Sequence, residues 1–212
     1  MRGPPIVERG TTVVDDVHEV APRKRADARR NITAIVEAAT RCLADDPDVS
    51  MATIAKAAGV GRMTLYGHFE SRSSLVAVAV EHALDRAEAE LSAVDLGGDP
   101  YEAMGRLLDA SWEVTFRNGG LVQAAENALS PALLQRAHTQ LVDRAKSLLR
   151  RGRRDGRFRR DMPLDWQVTA IQSLLHGAAT AVHQGTITPA RAPGLVKATA
   201  LTTLAVPGQR LE

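Results

Sequence analysis

From Arg23 onward, apolar residues return every three or four positions, and that spacing is the strongest constraint on the fold. Ile32, Ile35, Val36, Ala39 and Leu43 make the first such stripe, with Arg29, Arg30, Glu37 and Arg41 mostly off it. Asp45, Asp46 and Pro47 end it. Ser50 is a good N-cap for a helix over about 51–58, Gly59-Val60-Gly61 is a break, and a short helix fits 62–68. Ser71 is a second N-cap, for one long helix from Arg72 to about Ala93. Leu96-Gly97-Gly98-Asp99-Pro100 breaks it. Helical patterns resume at about 101–117, 121–128, 131–152, 164–184 and 189–205, with an Arg-rich loop over 152–163. Period-2 alternation of β-branched and aromatic residues is absent, so the fold class is all-α, with about nine helices.

Residues 1–22 carry Pro4, Pro5 and Pro22 without a sustained helical period and read as a mobile arm. The chain has 212 residues and one cysteine, Cys42, which excludes a disulfide framework and a multi-cysteine metal site. No apolar run approaches the roughly 20 residues of a membrane span, and no secretory signal is visible. A cytoplasmic protein without membrane association is expected. Net charge is only +2, so placement matters more than total: residues 23–72 hold nine Lys/Arg against six Asp/Glu.

The informative stretch is residues 50–69, SMATIAKAAGVGRMTLYGHF. Two short helices about a glycine-containing turn make a helix-turn-helix. Ile54, Ala55 and Ala58 pack the first helix, Val60 tucks in, and Leu65 and Phe69 pack the second. That leaves Arg62, Met63, Thr64, Tyr66, Gly67 and His68 pointing outward. A cation, a hydroxyl, a phenol, an imidazole and an apolar side chain on one short helix suit a major-groove surface.

These residues resemble the TetR family of bacterial transcriptional regulators. The resemblance is carried by Ile54-Ala55, Ala58-Gly59-Val60, Thr64-Leu65-Tyr66, Phe69 and Leu75 in order and spacing, and is closest over residues 25–76. Gly156-Arg157-Phe158, Asp161 and a helix opening near Asp165-Trp166 look like the family's join before its dimerisation helices. The resemblance implies an N-terminal three-helix helix-turn-helix domain over 23–71, after the 1–22 arm, and a C-terminal helical ligand-binding and dimerisation domain over 72–212. It implies a homodimeric regulator of double-stranded operator DNA, a repressor released by a small-molecule ligand.

There are departures. Arg72 stands where the family usually has lysine, keeping a phosphate-reaching cation and adding bidentate capacity. Gly67 replaces a side chain within the recognition helix, at roughly 1 kcal/mol of helix stability relative to alanine. Met63 stands where a small residue is common, and could touch thymine methyls or simply face solvent.

The DNA-contacting set is therefore Ser50, Thr53, Arg62, Met63, Thr64, Tyr66, Gly67, His68 and Arg72. Arg62 could pair with guanine, reach a phosphate, or remain an exposed cation. Tyr66 and His68 match phosphate-contacting positions, although Tyr66 could instead cap the three-helix core. Thr64 could back-bond within its helix. Ser50 caps a helix whether or not DNA is present. Arg23, Lys24 and Arg25 could reach an adjacent groove or stay solvated. The Arg cluster at 150–160 reads as a solvated helix end and loop.

The candidate ligand pocket comprises Met104, Leu108, Trp112, Phe116, Gln123, Asn127, His138, Gln172 and His176, with ordinary core as the alternative for Trp112 and Phe116. The last two helices hold Leu174, Leu175, Ala178, Ala179, Val182, Leu195, Val196, Leu201 and Leu204, with small Gly177 and Ala181; the resemblance implies that they form a four-helix dimer interface, with an internal hydrophobic core as the alternative for some of their faces. His176 and His183 are seven apart on one helix, roughly 10 Å, too far for one metal ion, so neither metal nor cofactor is expected. No phosphate-binding glycine loop, metal-spacing motif or nucleophile–base set suggests an enzyme. A helical ligand carrier whose DNA-binding motif has decayed is the alternative, favoured only by Gly67.

Overall fold

The computed structural model describes residues 20–129 and 139–207. Among them the chain forms nine helices. These are α1 (Val20–Asp45), α2 (Met51–Ala57), α3 (Arg62–His68), α4 (Arg72–Ser92), α5 (Pro100–Arg117), α6 (Gly119–Ala128), α7 (Thr139–Arg154), α8 (Leu164–His183) and α9 (Ala192–Leu204). The one β-bridge among the described residues joins Phe158 to Ala205. No helix among them is long and apolar enough to cross a membrane.

α1 begins at Val20, before the expected arm boundary at residue 22. Pro22 does not prevent this, because the first turn of a helix needs no amide donor there. The arm proper, His138 and the first part of the helix expected over 131–152 lie outside the described residues. α7 also runs to Arg154, two residues past the expected helix end at 152.

Two apolar cores hold the chain. The first gathers Ile35, Val36, Leu43, Ile54, Leu65, Phe69, Leu75 and Val76 from α1–α4, and also Leu121, Ala124 and Ala125 from α6. The second gathers Leu91, Met104, Leu108, Trp112, Leu149, Phe158, Val168, Val196 and Leu204 from α4, α5 and α7–α9. α4 contributes to both cores, and α6, far along the sequence, joins the first. Each fully buried leucine or isoleucine contributes about 1.5–3 kcal/mol.

The Arg cluster is solvated only in part: Arg150, Arg154, Arg157 and Arg160 are exposed, but several of its guanidiniums have protein partners. Arg151 donates to Leu96 O at 2.5 Å, Arg153 to Gln167 Oε1 at 2.8 Å, and Arg157 to Asp99 Oδ2 at 2.6 Å. Arg160 reaches back to Arg153 O at 2.7 Å. Most of these guanidiniums tie α7 to the α4–α5 turn and to the start of α8, because carbonyls at chain turns lack helical partners. Arg159 grips Asp161 through two bonds, 2.7 and 2.6 Å, and those bonds hold the Asp161 carboxyl at a pKa of about 2. Gly152 is required by close approach: a Cβ there would lie 2.1 Å from the buried Phe158 ring.

Candidate nucleic-acid interface and ligand cavity

Residues 50–69 fold as two short helices for local reasons. Ser50 Oγ accepts from Thr53 N at 3.1 Å and caps α2. Gly59 takes φ +70°, a left-handed conformation costly for a residue with Cβ, and Val60 N donates to Ala55 O at 3.0 Å to close the turn. Leu65 on α3 and Phe69 at its C-cap are buried, fixing which side of this helix faces out.

That outward side carries the expected set. Arg62, Tyr66 and Gly67 are exposed, Thr64 and His68 are half-buried, and Met63 is 84% exposed. Tyr66 keeps 40% exposure, so its ring is not absorbed into the three-helix core. The Arg62 guanidinium sits 5.8 Å from the Tyr66 ring centroid, one turn along, a cation–π pair that orders both side chains. A Cβ at Gly67 would meet no atom within 4 Å, so packing does not demand glycine there.

Two positions differ in character from the sequence reading. Ser50 and Thr53 are exposed, but their hydroxyls contact each other at 2.9 Å, so one hydroxyl donor is already used. Arg72 is not extended into solvent. It is part-buried and donates to Pro47 O at 2.5 Å and to Val49 O, locking the α1–α2 loop onto the first turn of α4. The unpaired carbonyls of that loop attract the guanidinium, a pull that spacing alone does not show. The loop was legible as a helix break, but not as an arginine receptor.

A cavity of about 160 Å³ lies between the two cores. α4 borders it through Val80, Ala83, Leu84, Ala87 and Leu91, a stripe at helical spacing. α5 adds Met104, Leu108, Ser111 and Thr115, α6 adds Leu121, Val122 and Ala125, and α8 adds Ile171, Gln172, Leu175 and His176. The His176 ring Nδ1 and the Gln172 carbonyl lie 2.8 Å apart.

Five pocket candidates are placed otherwise or not described. Trp112 and Phe116 do not border the cavity: they stack on each other, centroids 5.4 Å apart, with Phe116 against His183. Each follows a cavity-facing residue, Ser111 or Thr115, and one residue turns the helix by about 100°. Gln123 and Asn127 are exposed, because Leu121, Ala124 and Ala125 take the inward side of α6. His138 lies outside the described residues. Sequence reading missed the α4 stripe and Arg144. The stripe was visible in the continuation of α4's apolar side beyond Ala79. Arg144 Nη2 donates to Glu88 Oε1 at 2.5 Å and its side chain borders the cavity.

Against known proteins, residues 35–79 match the family model described as bacterial regulatory proteins, tetR family. The match spans the second half of α1, the helix-turn-helix and the start of α4, and it is this segment that is similar to the family. The HTH-type transcriptional repressor LfrR of Mycolicibacterium smegmatis is 34% identical over 84 residues, 39% of this chain and 44% of LfrR, so the match spans less than half the length of that relative. The crystal structure of LfrR from Mycobacterium smegmatis in complex with proflavine superposes with a TM-score of 0.66 at 21% identity, covering 84% of this chain and 98% of that one. A TetR-family transcriptional regulator from Agrobacterium tumefaciens gives a TM-score of 0.70 at 19% identity, covering 84% and 100%. At these identities the superpositions speak for the fold: a helix-turn-helix followed by a helical remainder.

Proposed function

We propose that this chain is a homodimeric, ligand-responsive repressor that binds operator DNA through α3. The observation that carries this is the outward side of α3, with Arg62, Met63, Thr64 and Tyr66 presented on a helix anchored by buried Leu65 and Phe69. Arg62 reads a base edge, and Tyr66, His68 and the Ser50–Thr53 hydroxyls hold phosphates. Arg72 positions the α1–α2 loop behind them. The functional division falls near residue 71, with α6 allied to the DNA-binding core.

Dimerisation is assigned to α8 and α9. Trp166 is 60% exposed and Leu195 43% exposed, and at Gly177 and Gly194 a Cβ would meet nothing within 4 Å. An open, small-residue face admits a close second pair of helices. Two copies would place α3 in successive major grooves, roughly 34–36 Å apart. That LfrR is named a repressor, and that its structure holds proflavine, support a repressor with a ligand in the cavity. Release follows linkage: the ligand must favour the dimer geometry that cannot bind operator.

Selection of bound sites from random duplexes, followed by mobility shifts at fixed salt, tests this. Tyr66→Phe should weaken binding at every site, and Arg62→Ala should also relax sequence preference. Wild-type affinity in both variants, or no site-selective binding by the wild type, refutes the assignment and leaves a ligand carrier.

A further inference from the structure

We propose that the cavity takes a small amphiphilic anion, an aliphatic body with one acidic group, carboxylate or phosphate, held by Arg144. This deepens the reading of the cavity as the ligand site and rests on it.

The body is set by the lining. Leu84, Leu107, Leu108, Leu121, Ile171 and Leu175 dominate it, and among the described residues no aspartate or glutamate borders the cavity. At about 160 Å³ it matches cavities that stay dry and accept a benzene-sized guest, so a single ring or a short chain fits.

The acidic group is set by Arg144. Its Nη2 donates to Glu88 Oε1 at 2.5 Å, while its Nη1 is buried with no partner, as is Glu88 Oε2. A guanidinium that could grip a carboxylate with two parallel bonds uses one, and keeps a buried donor beside an apolar space. Arg144 also borders a recess of about 230 Å³ lined by Ser147, Arg150, Arg151 and Arg154, again with no acidic side chain among the described residues. Arg151 Nε is buried there without a partner. Glu88 is the carboxylate paired with Arg144, and Asp165 is paired with Lys146. The field at the cavity's polar edge is therefore positive. It repels a cation, gives nothing to a neutral guest, and favours an anion whose apolar end enters the cavity.

The same contact supplies a consequence. Glu88 is on α4, whose first turn carries Arg72 and follows α3 directly. An acid on Arg144 competes with Glu88 and loosens the link between α7 and α4, so the anion should also lower operator affinity.

The test is calorimetric titration of the full chain, without DNA, with octanoate, octyl phosphate, 1-octanol and octylamine. One or both anions should bind at least about tenfold more tightly than 1-octanol, and octylamine most weakly. Arg144→Gln should bring the anions to the level of 1-octanol, whose own affinity should stay within about twofold and so report an intact cavity. Glu88→Gln, which removes the competing carboxylate, should tighten octanoate binding. Equal affinities for all four probes, no saturable heat with any of them, or a retained anion preference in Arg144→Gln overturns the proposal. None of these measurements involves DNA, so failure of the repressor reading would show separately in the mobility shifts.

Discussion

Gly120, the second residue of α6, is where the fold allows least change. A Cβ there would lie 2.4 Å from Ala44 O and 2.6 Å from Leu43 O, at the end of α1. Both are backbone atoms and cannot rotate away. Restoring ordinary van der Waals distance needs a separation of about 1 Å between α6 and α1. Overpacking of this kind costs about 1–3 kcal/mol, and the helix propensity of alanine returns less than about 1 kcal/mol in a first turn. Gly120→Ala should therefore lose about 1–2 kcal/mol. For a chain of this size that is about 2–8 °C in thermal midpoint. Urea and thermal unfolding at one fixed protein concentration measure it, since association contributes to apparent stability. A Gly120→Ala protein as stable as wild type would refute the claim that direct backbone approach joins α6 to α1.

Other outcomes follow from single contacts. Gly67→Ala adds a methyl where nothing lies within 4 Å, so it should gain up to about 1 kcal/mol in thermal unfolding; a simultaneous loss of operator affinity would show that the position faces DNA. Arg72→Ala removes two charge-assisted bonds to loop carbonyls and should cost about 1.5–3 kcal/mol in urea unfolding, with weaker DNA binding following from the displaced loop. Leu65→Ala empties a fully buried position and should cost about 2–5 kcal/mol. The Asp161 carboxyl, held at about 2 by Arg159 against an ordinary 3.8, adds stability that is present above pH 3.8 and lost as pH falls toward 2. Urea midpoints from pH 5 down to 2.5 should fall less steeply in Asp161→Asn than in wild type.

The helix-turn-helix was legible in the sequence because its determinants are local. Ser50 as a cap, Gly59 at the turn, and the spacing of Ile54, Ala55, Leu65 and Phe69 act within one or two turns of each other. Helix existence was legible for the same reason, and Leu96 to Pro100 marked a real end. The roles of the arginines were not, because their partners are remote: Arg72 bonds residues 23 and 25 positions earlier, and Arg151 one 55 earlier. Charge in a sequence shows only that a residue prefers a partner or water. The cavity fell between these cases. Met104, Leu108, Gln172 and His176 border it, but Trp112 and Phe116 do not, because periodicity identifies an apolar side and not which neighbour that side meets.

The division of the chain into cores gives the proposed switch a physical route. α6 packs Leu121, Ala124 and Ala125 into the same core as Leu65 and Phe69, and Leu121, Val122 and Ala125 also border the cavity. α4 does the same, with Ala83 in both sets. A guest among these side chains thus displaces residues that also pack against the helix-turn-helix. A close-packed interior does not absorb such a displacement locally; it moves helices as bodies. Gly120 fixes one of those bodies against α1, and Glu88–Arg144 tethers the other to α7. Were coupling carried by α4 alone, Gly120→Ala would lower stability and leave ligand-driven operator release unchanged. Coupling through both helices requires that the same substitution also shift the ligand concentration needed for release.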